Sequence, residues 1–419
     1  MIGPDPGLAV NGATASGYVR ILVVGLVVLL TLTAAFTRVV DPFWYFRDVE
    51  IEGFNAIKTK FRRFERDVKP AVLAAEQPEA VILGSSFAEI GFDPLHPMLT
   101  RNGQARSYNF ALAGAPWQMN FCALEYVLAS APVRRIVLGI HAQPLPAFDC
   151  TQSIANMRQT AWTALLLSPR ALGAAIETVS HQRRSERGSH TREGMYYYSR
   201  FDAGVERRFS QYFASVLHDA KGCSFANLGR SVERRVPPLS IAPETPFDAR
   251  GLARIIESVS GREVMLRLVV YPRHVLSVET DYLCGRQMER WQALWHLAHF
   301  LEDHPPAPPA SIEIWDFQGY SHYTTEPVLP SLMTFWQDPE HFNHEFGSVM
   351  LDWMFGDAPG AATSVDGLGY RVRTATLAQR YDWFSRQRLA YIDAHPGTWN
   401  TLARLLPASL KPSQAAPWP

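Results

Sequence analysis

Three side chains in this sequence could together move an acyl group: a serine, a histidine and an aspartate. The serine, Ser86, lies in Ala80–Glu89, which reads Ala-Val-Ile-Leu-Gly-Ser-Ser-Phe-Ala-Glu. The other two belong to Asp338-Pro339-Glu340-His341, far along the chain. A serine hydroxyl is a poor nucleophile until a neighbouring base takes its proton. Imidazole is the side chain suited to that near neutral pH. A carboxylate against its Nδ1–H fixes the tautomer and leaves Nε2 free to act. The spacing of Asp338 and His341, three apart, predicts one face of a single helical turn. Plainer readings stand beside these. Ser86 with Glu89 three residues on fits a capping box, and Asp-Pro is a common helix start. The second reading is compatible with catalysis, since a cap position can still hold a working carboxylate.

Such residues need a scaffold that brings the two segments together. Ala80–Leu83 is a short apolar run of the kind a buried strand makes, and it stops at Gly84. A strand passing through Gly-Ser-Ser directly into a helix exposes a serine oxygen at a sheet's edge, where the helix N-terminus favours a developing anion. Further strands are predicted at Ser107–Leu112, Arg135–Ile140, Glu263–Val270 and Ser311–Phe317. Helical spacing lies between and beyond them, at Trp117–Ala129, Phe247–Ser260, Asp281–Leu301, Gly347–Phe355 and Thr374–Ile392. This alternation indicates a parallel α/β sheet. The rhythm breaks between about 145 and 246. That stretch holds a helical segment at Ala161–Val179, the basic run His181–Arg187 and the aromatic run Met195–Tyr198. It reads as an insertion that shapes a substrate groove. The basic run is by default a solvated loop, with a clamp for an anionic glycan or lipid as its sharper alternative. The tyrosines fit a core strand as well as a sugar-stacking surface.

The chain has 419 residues, 47% hydrophobic and 19% charged, with 40 basic residues against 40 acidic ones. This balance provides a sizeable core and argues against a nucleic-acid partner, which would call for a basic face. The four cysteines (Cys122, Cys150, Cys223, Cys284) form no Cys-x-x-Cys pair. They allow either two disulfides in an oxidising compartment or four buried thiols.

Near the N-terminus, Ile21–Phe36 carries no charge and is flanked by Arg20 and Arg38. As a helix its 16 residues span ~24 Å, against ~30 Å of bilayer hydrocarbon. Tyr18, Val19, Val39 and Val40 extend it, and Trp44 and Tyr45 follow where interfacial aromatics sit. A cleaved signal peptide is the rival reading, but the run is long for one and no clean cleavage site follows. The expected order is therefore a short tail (1–17), a single transmembrane anchor (18–40), a juxtamembrane helix (41–78), an α/β domain (79–395) and a tail (396–419) whose final Pro-rich residues fray. Basic residues on the two sides of the anchor nearly tie, so they leave its orientation open.

At this point the motifs resemble a known family. Gly84-Ser85-Ser86, Asn109 with Gly114 after the second strand, and Asp338-x-x-His341 near the end look like the blocks of the SGNH/GDSL hydrolase superfamily. More narrowly, the layout resembles its membrane-anchored bacterial branch, which includes the alginate O-acetylation and teichoic acid D-alanyl transfer proteins. The resemblance implies a three-layer SGNH-like fold with a mostly parallel five-stranded sheet. It implies Ser86 as nucleophile, His341 as base and Asp338 as its orienting partner. Oxyanion donors would come from Ser86, Gly114 and Asn109. The domain would lie on the exported side, periplasmic or extracellular. Its partners would be the bilayer, a cell-envelope polysaccharide and a membrane acyl-donor protein, with no cofactor. Two departures stand out. Ser85 replaces the aspartate of the first block, and the third-strand block reads Gly139-Ile140-His141-Ala142, without its asparagine. The activity expected is an esterase or O-acyltransferase; the alternative is a non-catalytic scaffold that binds envelope polysaccharide or a biosynthetic partner.

Three other groups could contact substrate or metal. Arg273 and His274 end the fourth strand, on the edge where α/β sheets bind ligands; His141 ends the third. Each is also an ordinary loop residue. His322 and His344 near Asp338 and His341 suggest a metal set, but the spacing suits a dyad better and no metal is expected.

Overall fold

The computed structural model describes residues 12–158, 162–182, 188–197, 204–218, 221–233, 239–241, 245–330, 332–356 and 365–410. Its helices, in chain order, are α1 Gly12–Val40, α2 Phe61–Glu76, α3 Ser86–Gly91, α4 Pro97–Thr100, α5 Trp117–Ser130, α6 Thr151–Arg158, α7 Trp162–Leu167 and α8 Pro169–His181. They continue with α9 Val205–Leu217, α10 Phe225–Glu233, α11 Arg250–Val259, α12 Val275–Leu283, α13 Gln287–Asp303, α14 His344–Phe355, α15 Thr374–Ala394 and α16 Thr398–Leu405. The strands are β1 Ala80–Leu83, β2 Ser107–Asn109, β3 Arg135–Ile140, β4 Met265–Val270, β5 Ser311–Asp316 and β6 Tyr370–Arg371. The chain divides into two compact units, residues 1–71 with 159–188, and residues 72–158 with 189–419.

In the first unit, α1 is long and apolar enough to cross a membrane from Ser16 to Val40. A helix leaves its last carbonyls without intrahelical donors, and here two polar side chains supply them. The Asn55 amide donates to the carbonyls of Val39 (2.9 Å) and Val40 (3.3 Å), and the Lys58 ammonium donates to Val40 at 2.8 Å. The segment expected as one helix at Ala161–Val179 is two, α7 and α8, because Pro169 has no N–H to continue the ladder and instead opens the second. Ser168 caps that second helix by accepting from the Ala171 N–H at 3.1 Å. The basic run at His181–Arg187 falls mostly outside the described residues.

The second unit is built on a six-stranded mixed sheet in the order β2-β1-β3-β4-β5-β6. The α/β class matches the sequence reading, but the strand count does not. Five strands are parallel, and β6 adds antiparallel to β5 through Trp315–Arg371 and Asp316–Tyr370. A two-residue strand leaves no periodic signal, which is why it escapes the pattern. The central strands are buried on both faces, as parallel strands covered by helices must be: all of β1 and the last five residues of β3 are inaccessible. Because β2 lies on one side of β1 and β3 on the other, right-handed crossovers send successive helices to opposite faces. Accordingly α14 packs on α3 and α4, while α5 packs on α6 and α11.

Other expectations change as well. Helices α9, α10 and α12 lie where no helix was expected. The tail set apart from residue 396 contains α16, which packs on α9; its last residues, from 411, lie outside the described ones. Met195–Tyr197 contributes a single bridge, His190 to Tyr196, rather than a strand; Tyr198 lies outside the described residues. All four cysteines pair, Cys122 with Cys150 and Cys223 with Cys284.

Candidate active site

The parallel order 2-1-3-4-5 has its switch point between β1 and β3, where the chain leaves in opposite directions and a crevice opens at the strands' carboxyl ends. Ser86 follows the two-residue turn after β1, and His141 lies directly after β3. Gly84 begins that turn with φ +142°, a conformation a side chain resists. A Cβ there would also run into the Tyr271 hydroxyl. That buried hydroxyl receives the Ser85 N–H at 3.1 Å, so the end of β4 fixes the backbone just ahead of Ser86. Burial pushes the Tyr271 phenol up to about 12, against the lowering effect of its Ser85 hydrogen bonds.

Ser86 is the first residue of α3, and Ser85 occupies the cap position without a side-chain cap bond. The capping-box reading therefore fails twice. Ser86 directs its hydroxyl away from the helix, and Glu89 turns inward to His190 at 3.0 Å.

The second segment reaches the site on a braced loop. Trp336 and Phe342 form an isolated antiparallel bridge, and the Gln337 N–H donates to the His341 carbonyl at 2.8 Å. Glu326 accepts the N–H groups of Thr334 (2.6 Å) and Phe335 (2.8 Å), and Asn343 donates to the Thr334 carbonyl at 2.8 Å. Asp338–His341 is not a helical turn, contrary to the spacing argument, and α14 starts only at His344. The Asp338 carboxylate makes its own turn, accepting the Glu340 and His341 N–H groups at 2.9 Å each through Oδ1. Such self-bonding is a habit of aspartate in turns. It brings Asp338 and His341 to the same side without a helix.

Close helix crossing joins the two segments. Gly91 at the end of α3 faces the Phe342 ring, and Gly347 of α14 faces the Gly91 carbonyl; a side chain at either glycine would collide. Phe92 meets Phe342 edge to face at 5.3 Å. The residue after His341 thus docks on the helix that begins with Ser86.

The result is a continuous relay. Ser86 Oγ lies 2.8 Å from His341 Nε2, and His341 Nδ1 lies 2.7 Å from Asp338 Oδ2. Ionised, the carboxylate only accepts, so Nδ1 carries the proton and Nε2 faces the hydroxyl with its lone pair. Burial raises the Asp338 carboxyl, but the His341 ring and three hydrogen bonds outweigh it and hold it below the ordinary carboxylate range. Phe87 stacks on the His341 ring at 4.3 Å and 24°, and touches Tyr271 (4.9 Å) and His141 (5.4 Å).

The remaining candidates divide. Among the described residues, the Ser86 and Gly114 N–H groups have no intramolecular acceptor, and Gly114 is exposed. Asn109 is fully buried and its amide donates to the carbonyls of Ala88 (3.1 Å), Glu89 (3.3 Å) and Phe92 (3.0 Å). It closes the end of α3 rather than offering a donor to an oxyanion. His274 is likewise structural. Its Nδ1 accepts the Leu276 N–H at 3.2 Å, its Nε2 meets the Glu326 carbonyl at 2.7 Å, and burial holds it near a pKa of about 4. Arg273 is paired with Asp281 at 2.5 Å. Burial opposes its charge, but Asp281 and Glu340 more than restore it. His141 keeps an exposed edge, and the protein packed around its ring disfavours the imidazolium despite the pull of Glu340.

His322 packs its ring on Tyr323 and Phe335, and His344 lies half-buried beside Glu345. Among the described residues neither joins Asp338 and His341 in a ligand set.

Sequence reasoning missed Phe87, Glu340 and Tyr212. Burial and its hydrogen bond to Glu340 raise the Tyr212 phenol. Tyr212 comes from α9, in the stretch where the strand–helix rhythm was lost. Phe87 and Glu340 adjoin the two motifs and could have been found from them.

No family model, characterised protein or solved structure matches the chain.

Proposed function

We propose that this chain is a membrane-anchored serine esterase or O-acyltransferase of SGNH type, acting on a cell-envelope glycan or lipid-linked substrate. One observation carries the reading: the hydroxyl–imidazole–carboxylate relay at the sheet's switch point, with both contacts under 3 Å. His341 Nε2 takes the Ser86 proton as Oγ attacks the acyl carbonyl. The oxyanion that forms is met by the Ser86 and Gly114 N–H groups. The imidazolium returns its proton to the leaving oxygen, and an acyl-Ser86 ester remains. Water or a sugar hydroxyl then gives its proton to Nε2 and takes the acyl group, which regenerates the serine.

The apolar length of α1 supports a tether. Two disulfides support the exported side, where thiols oxidise and stay oxidised. The neutral charge balance favours a glycan or lipid over nucleic acid.

A fluorophosphonate probe tests the reading. The wild-type chain should be labelled at Ser86, and Ser86→Ala should be unlabelled while keeping its fold. A folded wild-type protein that resists the probe overturns the reading in favour of a scaffold that binds envelope polysaccharide.

A further inference from the structure

The first unit holds a feature the proposed chemistry does not use. Helices α7 and α8 pack on α1, and the place of that packing can be read from exposure. Every residue of α1 from Tyr18 to Leu32 is exposed. Coverage begins at Thr33 and Ala34, which are half-buried, and becomes complete at Thr37 and Val40. The cover over the last two turns is thus shared by the hairpin and by the segment after α1, whose Asn55 and Lys58 reach the Val39 and Val40 carbonyls. Between Arg20 and the first covered residue the helix offers only Ile21–Leu32, 12 residues and ~18 Å at ~1.5 Å each. The hydrocarbon of a bilayer is ~30 Å thick. A span starting beside Arg20 needs about 20 residues and must run on to about Val40 to cross, which places the covered turns inside the membrane boundary together with whatever packs on them.

The surface of the hairpin suits that depth. Its outward side chains include Trp162 (56% exposed), Leu167 (42%) and Ile176 (55%). Large apolar side chains held this open in water are uncommon as a group, and a tryptophan among them is the usual residue of a membrane interface. The inward face of α8 is small, with Ala171, Ala174, Ala175 and Thr178, which allows the close helix approach favoured in lipid. Its polar edge is tied to the segment after α1. Gln182 exchanges hydrogen bonds with the Ile57 backbone at 2.9 and 2.7 Å, and Glu177 meets Lys60 at 2.7 Å. One edge is thus satisfied by protein and the other is left bare.

We propose that the α7–α8 hairpin is a second membrane element, inserted at the hydrocarbon–headgroup boundary beside the exit of α1, with lipid as the occupant of its Trp162–Leu167–Ile176 face. The inference rests on reading α1 as the span, and the experiment separates the two.

All four native cysteines are bridged, so an introduced cysteine gives a single labelling site. Trp162→Cys, Leu167→Cys and Ile176→Cys, each in the full chain in phosphatidylcholine–phosphatidylglycerol nanodiscs, would carry a nitroxide. Accessibility to oxygen, which partitions into lipid, is compared with accessibility to a water-soluble nickel chelate. Leu26→Cys marks the span and Glu263→Cys marks water. The oxygen-to-nickel ratio at the three hairpin positions should exceed that at Glu263→Cys several-fold and approach that at Leu26→Cys. A lipid-like Leu26→Cys with aqueous hairpin positions overturns the hairpin proposal alone. Hairpin positions shielded from both reagents overturn it too, since protein then covers the face. An aqueous Leu26→Cys removes the span and the hairpin together. Three independent exposed positions keep the test decisive if one variant fails to fold.

Discussion

Among its described residues the second unit holds two serine–histidine–carboxylate sets, and of these one is placed to do chemistry. In the first, Ser86, His341 and Asp338 are linked at 2.8 and 2.7 Å. In the second, Ser189 Oγ lies 3.1 Å from His190 Nδ1, and His190 Nε2 lies 3.0 Å from Glu89. The residue types agree and the distances nearly so. Access is what differs. The side chains of His341 and Asp338 are 19% and 11% exposed, whereas those of His190 and Glu89 are both 0%. The serines also differ: Ser86 opens a helix at the switch point, while Ser189 is buried in a loop. A relay in a sealed core has no route for an acyl group, so its hydrogen bonds serve to satisfy buried polar atoms. Contact geometry alone does not make a catalytic site.

The comparison breaks most sharply on the two serines. Ser86→Ala should lower acyl turnover by at least ~10³-fold, the scale at which relays lose their nucleophile, and should abolish fluorophosphonate labelling. Ser189→Ala should leave both unchanged. Labelling that survives in the first variant, or disappears in the second, reverses the assignment.

Asp338→Asn comes next. An amide in place of the carboxylate favours the wrong tautomer of His341, with an expected drop of ~10²–10⁴-fold in kcat and little change in KM. Stability should follow the pKa direction. Because the folded-state pKa of Asp338 lies below its ordinary value, its contribution is complete above about pH 4 and fades as pH falls through the lower folded value. Denaturant midpoints of wild type and variant should therefore differ at pH 7 and draw together in strong acid. A gap that widens on acidification contradicts the depressed carboxyl.

The sealed set should answer in stability instead. Glu89→Ala removes the carboxylate that His190 Nε2 meets at 3.0 Å inside the core, a loss of about 2–4 kcal/mol. His341→Ala, on the open set, should cost about 1 kcal/mol while removing activity. Chemical denaturation of both variants beside an ester-hydrolysis assay gives the crossed pattern. Equal losses of stability would dissolve the distinction.

The contrast also marks what could be read in the sequence. The run Ala80–Leu83 followed by Gly84-Ser85-Ser86 carries its own signal, because strand, turn and nucleophile are contiguous. Asp338 and His341 were legible as a pair from their spacing, though the mechanism inferred for it was wrong: an aspartate turn, not a helix, aligns them. Ser189-His190 carries no comparable signal, since burial is a tertiary property and Glu89 lies 101 positions from His190. For the same reason Asn109 passed for an oxyanion donor. Its motif position matches the family pattern, but its amide is engaged by the end of α3, which no local pattern reports. Strand β6 is too short to carry a periodic signal, whereas α9 buries Val205, Phe209, Phe213 and Leu217 at a regular four-residue spacing that was open to reading and was overlooked.

His274 gives the smallest and most pH-specific test. It has neither a nucleophile nor a carboxylate; both ring nitrogens serve the backbone, one accepting from Leu276 and the other meeting the Glu326 carbonyl. That pattern requires the neutral ring, and burial lowers its pKa from 6.5 to about 4. The unfolded chain therefore binds a proton between those values that the folded chain refuses. The associated stability is complete above about pH 6.5 and is lost as pH falls towards 4, by about 3 kcal/mol at the limit. His274→Gln keeps a polar side chain without the titration. It should be less stable than wild type at pH 7, and the gap should shrink by about 2 kcal/mol on reaching pH 4.5, read from urea midpoints. A gap independent of pH would mean that His274 takes up its proton without breaking its bonds, and that the loop end it holds beside Pro339 tolerates a charge.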